Sequence, residues 1–198
     1  MHNEIEYEAP TWDQVYDMMI DLCEKVWRSG FNPDLIIGVS RGGWPPARIM
    51  SDFLDNKNLA NLKVEFYVDI EKTGKRPVII QPVSASVKGK QVLIVDDVSD
   101  TGHSLKTALA HVRKSGAKAV KTLTVYYKPK SILKPDFYAR RTSKWVIFPW
   151  ERFEVVKALV ASARKNEKTR SWIKNQLVRG GLKERLVDRL IDLAGRNS

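Results

Sequence analysis

The stretch Val92-Leu93-Ile94-Val95-Asp96-Asp97-Val98-Ser99-Asp100-Thr101-Gly102-His103-Ser104-Leu105 decides how the rest of the chain is read. Four apolar residues in a row suit a buried strand, which delivers three carboxylates and a Thr-Gly turn to its carboxyl end. That end is where open α/β sheets bind ligands. Ser99 to Ser104 can offer consecutive backbone N–H groups and hydroxyls at the start of a helix, an arrangement suited to a phosphate monoester. Gly102 lets the backbone approach closely. Asp96 and Asp97 suit a vicinal diol, or a hydrated Mg²⁺ held against one.

Working outward, Gln91 to Val95 reads as a buried strand, Ser104 to Lys114 as a helix closed by Gly116, and Ala119 to Tyr127 as a further strand. Upstream, Thr11-Trp12-Asp13-Gln14 has the spacing of a capping box, and Trp12, Val15, Met19, Leu22 and Val26 recur at helical intervals until Gly30. Leu35 to Val39 predicts another buried strand, and Pro45 and Pro46 fit the first turn of a helix reaching about Leu54. Lys63 to Asp69 alternates Val64, Phe66 and Val68 with polar residues, the pattern of a strand. Residues 70–90 are rich in Lys, Gly, Pro and Ser, with a β-like triplet at Val78 to Ile80, and predict a long mobile loop holding one small strand. Strand, helix and strand in this order predict an α/β fold with a central, mainly parallel sheet flanked by helices. A short strand is expected around Phe137. The expected division is a domain over 1–151 and a basic helical extension over 152–198, in which Gly180-Gly181 separates two amphipathic helices.

At 198 residues, 43% hydrophobic and 29% charged, the chain has the composition of an ordinary globular protein. No apolar run approaches the roughly 20 residues that cross a bilayer. The acidic start MHNEIEYEAP has no positive region followed by an apolar stretch, so no secretory signal is read and a cytoplasmic protein is expected. The single Cys23 cannot form an internal disulfide and falls on the apolar face of the first helix as a small buried hydrophobe. The net charge of +11 is uneven: −5 over 1–60, +9 over 61–151 and +7 over 152–198. Basic regions of this kind favour polyanions, whether nucleotides, pyrophosphates or nucleic acids.

Ser40-Arg41-Gly42-Gly43 follows the strand Leu35 to Val39, with glycines that let an anion reach the backbone and an arginine that adds a bidentate donor. Together with two apolar pairs, Asp96-Asp97, two variable residues, Asp100-Thr101-Gly102 and a small polar residue, the pattern resembles the type I phosphoribosyltransferases. The resemblance implies the type I phosphoribosyltransferase fold and a Mg²⁺-dependent transfer of a pentosyl group from 5-phosphoribosyl 1-pyrophosphate (PRPP). Asp96 and Asp97 are then the ligands of the ribose hydroxyls and of Mg²⁺. Ser99, Asp100, Thr101, Gly102, His103 and Ser104 cradle the 5-phosphate, although many relatives have Gly where His103 stands. Ser40, Arg41 and Gly42 form the pyrophosphate loop, in which the Ser40–Arg41 peptide is expected to be cis.

Lys128-Pro129 and Trp145-Val146-Ile147-Phe148-Pro149-Trp150-Glu151 further resemble the base pocket of the 6-oxopurine branch of that family, the likeness spanning about residues 35–151. An ammonium at Lys128 suits an exocyclic O6 and would repel the amino group of adenine. Trp145 offers a stacking face, the Val146 carbonyl and Glu151 carboxylate are candidates for reading a 2-substituent, and Trp150 is placed in the core. Asp100 is implied as the catalytic group that handles the proton at N7. The 70–90 loop is placed as a lid that keeps water from the cationic sugar; it lacks the Ser-Tyr pair of many purine enzymes, with Tyr67 just before it. The implied activity is purine salvage with PRPP and a purine base as substrates, carried out by a homodimer. A regulator that senses PRPP and binds nucleic acid stays open, with Arg179, Lys183, Arg185 and Arg189 on a helix-turn-helix, as does transfer to another base. Retention of Asp100, Lys128 and Trp145 favours the enzyme, so nucleic acid is not the expected partner.

Overall fold

The computed structural model describes residues 5–68 and 75–196. In chain order the elements are β1 (Tyr7–Glu8), α1 (Trp12–Arg28), β2 (Leu35–Ser40), α2 (Trp44–Phe53), β3 (Leu59–Val68), β4 (Lys75–Gln81) and β5 (Gln91–Ser99). There follow α3 (His103–Lys114), β6 (Ala119–Tyr127), β7 (Phe137–Arg141), β8 (Trp145–Val146), α4 (Arg152–Lys165), α5 (Arg170–Arg179) and α6 (Glu184–Arg196). They divide between two units, one of residues 15–143 and one of residues 1–14 with 144–198.

The first unit is built on a six-stranded sheet in the order β4-β3-β2-β5-β6-β7. All neighbours are parallel except β4, which runs antiparallel to β3. The apolar runs of β2 and β5 occupy the middle, as expected of parallel strands covered on both faces. On one face Val39, Leu62 and Ile94 pack with Leu105, Ala108 and Val112 of α3. A Cβ at Gly38 would lie 3.0 Å from the Ala47 Cβ, so the absent side chain lets α2 settle on β2. The register Leu35↔Val92 through Gly38↔Val95 brings the carboxyl ends of β2 and β5 together. Both of the loops singled out in the sequence therefore emerge side by side.

The capping box at α1 forms in both directions: Thr11 N–H donates to Gln14 Oε1 at 2.9 Å, and Gln14 N–H to Thr11 Oγ1 at 3.2 Å. Cys23 is buried, and burial, followed by the charge of Glu24, raises its thiol pKa. Trp12 departs from the predicted stripe: it is 52% exposed and lies against Trp150, ring centroids 5.6 Å apart. β5 continues past Val95 to Ser99 because its pairing with β6 persists to Ser99↔Tyr127. The predicted mobile loop at 70–90 differs most. Residues 75–81 are a strand paired with β3, and Val87 is a buried core residue with Val83 and Ala85 packed beside it. The Pro, Ser and Gly content masked an edge strand whose partner is set only by the hairpin. The tip of that loop, 69–74, lies outside the described residues.

In the second unit β1 and β8 pair in parallel, Tyr7↔Trp145 and Glu8↔Val146. Ala9 and Ile147 join Val156, Ile173, Leu177, Val187 and Ile191 in one core with α4, α5 and α6. Thr169 caps α5 by accepting the Trp172 N–H at 3.2 Å. Gly180 and Gly181 do more than separate helices. A Cβ at Gly180 would sit 2.7 Å from the Tyr7 Cβ, and the Gly180 carbonyl accepts the Ala9 N–H at 2.7 Å. This N-terminal strand, too short to show a pattern, is why the unit begins at 144 and includes residues 1–14, whereas the sequence pattern divided the chain after 151. The apolar stripes of α5 and α6 face this internal core. Among the described residues no helix is long and apolar enough to cross a membrane.

One carboxylate gives the first unit a pH signature. Burial alone would raise the pKa of Asp136, but the Lys121 ammonium at 2.9 Å, the Thr122 N–H at 2.8 Å and the Thr122 hydroxyl at 2.9 Å outweigh it and hold it below the ordinary value. A depressed folded pKa stabilises fully above the unfolded value, and the contribution is lost as pH falls through the folded one. The difference in urea midpoint between the wild type and Asp136→Asn should therefore be constant near neutrality and shrink as the pH drops below ~4.

Candidate active site

Period-two alternation along β5 puts Asp96 on the face of Val92 and Ile94, and Asp97 on the opposite face with Leu93 and Val95. Each is only 9% exposed. Asp96 Oδ1 accepts the Asp97 N–H at 3.0 Å, and Asp97 Oδ1 accepts the Val98 N–H at 2.7 Å. Burial first, then the charge of Asp97, pushes the Asp96 carboxyl well above the usual carboxylate range despite the hydrogen bond from the Asp97 amide. Such a pair is relieved by a cation. Among the described residues no three or more His, Cys, Asp or Glu converge as a protein-only metal cage. Mg²⁺ keeps several waters and binds through one or two carboxylates plus substrate phosphates, so the buried pair fits it.

The glycine loop after β2 serves the acidic pair directly. A Cβ at Gly42 would overlap the Asp97 carboxylate, and one at Gly43 would run into the Val95 and Val39 backbone. The anion that approaches the Gly42 backbone is thus first of all the chain's own. The Ser40–Arg41 peptide is cis. Ser40 Oγ is shielded from solvent and has no hydrogen-bond partner among the described residues, while the Arg41 side chain is exposed.

After β5 the chain turns at Gly102, which has φ +80° and caps α3 with no side-chain hydrogen bond. Among the described residues the first-turn amides of α3 therefore receive no side-chain cap. A Cβ at Gly102 would strike Ser131 Oγ and come within 2.8 Å of the Leu133 amide nitrogen. Asp96, Asp97, Asp100, Thr101 and Ser104 line one cleft of about 310 Å³, joined by Phe66 from β3. Ser99 also borders it, but its hydroxyl is engaged by Ser131 Oγ at 2.8 Å and the Leu133 carbonyl at 3.0 Å. Its side chain thereby braces the loop against residues 131–133. His103, the first residue of α3, is exposed and does not line the cleft.

Lys128, at the end of β6, is 5% exposed and places its Nζ 3.2 Å from Asp100 Oδ1. Lys130 puts a second ammonium 2.9 Å from the same oxygen. Burial alone would raise the Asp100 pKa, but Lys130 and then Lys128 outweigh it and leave it lowered. The turn that carries both lysines is tied to the phosphate loop by Lys128 N–H to the Ser99 carbonyl at 3.0 Å and Ile132 N–H to the Thr101 carbonyl at 3.0 Å.

The remaining base-pocket candidates lie in the second unit. Trp145 is 48% exposed and Val146 is buried. Glu151 Oε1 accepts the Phe148 N–H at 3.2 Å, closing its own turn, and Trp150 stacks on Phe148 at 4.8 Å, half-buried rather than in the core. Two residues near the cleft escaped the sequence reading. Phe66 was visible only as one position of an alternating strand, and Lys130 as one lysine among many.

A parallel sheet ending in a buried acidic pair, an uncapped helix start and a glycine loop at the neighbouring strand end is an arrangement suited to a phosphorylated substrate. Residues 11–156 match the model of the phosphoribosyl transferase domain, and the chain belongs to that family. It is 32% identical to the xanthine-guanine phosphoribosyltransferase of Cereibacter sphaeroides, covering 71% of this chain and 84% of that protein. It is 29% identical over 149 residues to the enzyme of the same name from Gluconobacter oxydans, covering 74% of this chain and 86% of that one. The solved purine phosphoribosyltransferase of Pyrococcus horikoshii superposes with a TM-score of 0.67 at 42% identity, covering 74% of this chain and 94% of that one.

Because the Asp97 carboxylate occupies the space of a Cβ at position 42, Gly42→Ala should displace it and lower PRPP-dependent turnover by roughly 10²-fold, the scale of an ångström's misplacement. Circular dichroism should show the fold retained, and unchanged turnover would contradict the packing role.

Proposed function

We propose that this protein transfers the phosphoribosyl group of PRPP to a 6-oxopurine, namely xanthine, guanine or hypoxanthine, and releases pyrophosphate. The observation that carries the proposal is the single cleft in which Asp96 and Asp97, the uncapped start of α3 and Asp100, itself paired with Lys128, come together. The xanthine-guanine names of the two relatives support the choice of base.

In the proposed complex the 5-phosphate lies on the first-turn amides of α3 and the Thr101 and Ser104 hydroxyls, favoured by the helix dipole. Asp96 and Asp97 take the ribose hydroxyls and would hold Mg²⁺. When bound, Mg²⁺ supplies charge neutralisation for the departing pyrophosphate. Ser40 Oγ, buried without a partner among the described residues, and the Arg41 guanidinium bind that pyrophosphate. As C1 loses its leaving group and becomes cationic, the base must already lie in line, and fixed donors cost no reorganisation at that moment.

Lys128 donates to O6 of the base; a 6-amino group would instead set N–H against an ammonium, which disfavours adenine. Asp100, kept ionised, accepts the proton at N7. Of the candidates in the second unit, Trp145 is half-exposed and offers a face suited to stacking. Glu151 contributes by holding the turn around Phe148, since that is where its carboxylate is engaged.

Pyrophosphate release measured with PRPP, Mg²⁺ and each of hypoxanthine, guanine, xanthine, adenine, uracil and orotate should be seen with one or more 6-oxopurines and not with adenine. No release with any 6-oxopurine would reject the assignment. Asp100→Asn should retain PRPP binding and slow transfer by ~10²-fold or more; full turnover would remove Asp100 from its role.

A further inference from the structure

The two groups assigned to the base, Lys128 for O6 and Asp100 for N7, are paired with each other at 3.2 Å. When Lys128 turns to the base, a carboxylate whose side chain is only 34% exposed loses a buried cation. Lys130 stands on the same Oδ1 at 2.9 Å, and with 63% of its side chain exposed it reaches there from the solvent side. Lys128 and Lys130 flank Pro129 in a turn closed by the Ser131 N–H to the Lys128 carbonyl at 2.9 Å, so one rigid turn presents both ammoniums to one oxygen.

We propose that Lys130 is a positioning residue: it keeps Asp100 ionised and in place while Lys128 leaves that carboxylate for the base. The inference rests on the function proposed above and assigns Lys130 no contact with substrate. The Lys128 and Lys130 ammoniums, both from the turn after β6, are the charged groups that act on Asp100 among the described residues, and Asp96 and Asp97, near the end of the strand that precedes it, line the same cleft. The lowered Asp100 pKa, to which the Lys130 hydrogen bond is the first contributor against burial and Lys128 the next, agrees with this role.

Lys130→Met removes the charge and keeps the length, and Lys130→Arg keeps the charge. With Lys130→Met, KM for the base should rise about two- to fivefold, the range expected of a solvent-exposed ion pair, while KM for PRPP stays unchanged. The acid limb of kcat/KM for the base should move to higher pH, because loss of a cation raises the pKa of Asp100. Lys130→Arg should restore both. In the base-free protein, the ¹³C carboxyl resonance of Asp100, assigned by its absence in Asp100→Asn, should titrate at higher pH in Lys130→Met than in the wild type. A midpoint unchanged by Lys130→Met, or a KM and acid limb that Lys130→Arg does not restore, overturns the inference. If the wild type transfers to no 6-oxopurine, the function assigned above fails, and the ¹³C midpoint alone then decides whether Lys130 sets the charge of Asp100.

Discussion

Asp96 and Asp97 stand next to each other at the end of β5 with nine-tenths of their surface withdrawn from water, and the surrounding structure follows from accommodating them. Burying one ionised carboxylate is costly, and burying two adjacent ones more so, unless hydrogen bonds and a counter-charge compensate. Backbone amides answer part of that demand through the Asp97 and Val98 N–H groups. Space answers another part: Gly42 has no side chain, so the Asp97 carboxylate fits against the loop after β2. The raised Asp96 pKa shows that this compensation is incomplete, and a cation held by the pair would complete it. On the proposed function Asp96 and Asp97 would hold Mg²⁺ beside PRPP, where it would supply charge neutralisation to the substrate and to the pair alike.

The same economy appears around Asp100. Its charge is balanced by two lysines on one turn, and that turn is hydrogen-bonded to the phosphate loop it faces. Gly102 is required twice over, for its positive φ and because Ser131 fills the space a side chain would need. The phosphate loop and the turn bearing Lys128 are therefore a single piece of structure, so a ligand ordering one is felt by the other.

Much of this was legible in the sequence, for identifiable reasons. β2 and β5 carry apolar runs bounded by turn residues, β6 is a β-branched and aromatic segment after Gly116, and the acidic signature marks which end of the sheet carries the site. The capping box of α1 needs only four consecutive residues, and it formed as read. What escaped depends on distant partners. The strand at 75–81 is defined by pairing to β3, the two-residue β1 by pairing to β8, and the core position of Val87 by tertiary packing that its polar neighbours conceal. At the site, the glycines of the Ser40 loop were read as room for a ligand, and Gly42 proves also to be room for Asp97, Gly43 for the backbone of Val39 and Val95. Ser99 was read as a phosphate ligand, yet its hydroxyl points to Ser131 and Leu133. Neither outcome is encoded in local pattern, since each depends on which strand ends become neighbours.

The central claim is that the Asp96–Asp97 pair grips a phosphorylated sugar jointly with Mg²⁺, and calorimetric titration of PRPP into the protein addresses it without requiring turnover. Binding heat should be present with Mg²⁺, weaken on chelation, and be abolished or strongly reduced in Asp96→Asn and Asp97→Asn variants that keep the wild-type circular dichroism spectrum. PRPP binding that is indifferent to Mg²⁺ and to both substitutions, or the absence of any heat in the wild type, would contradict it.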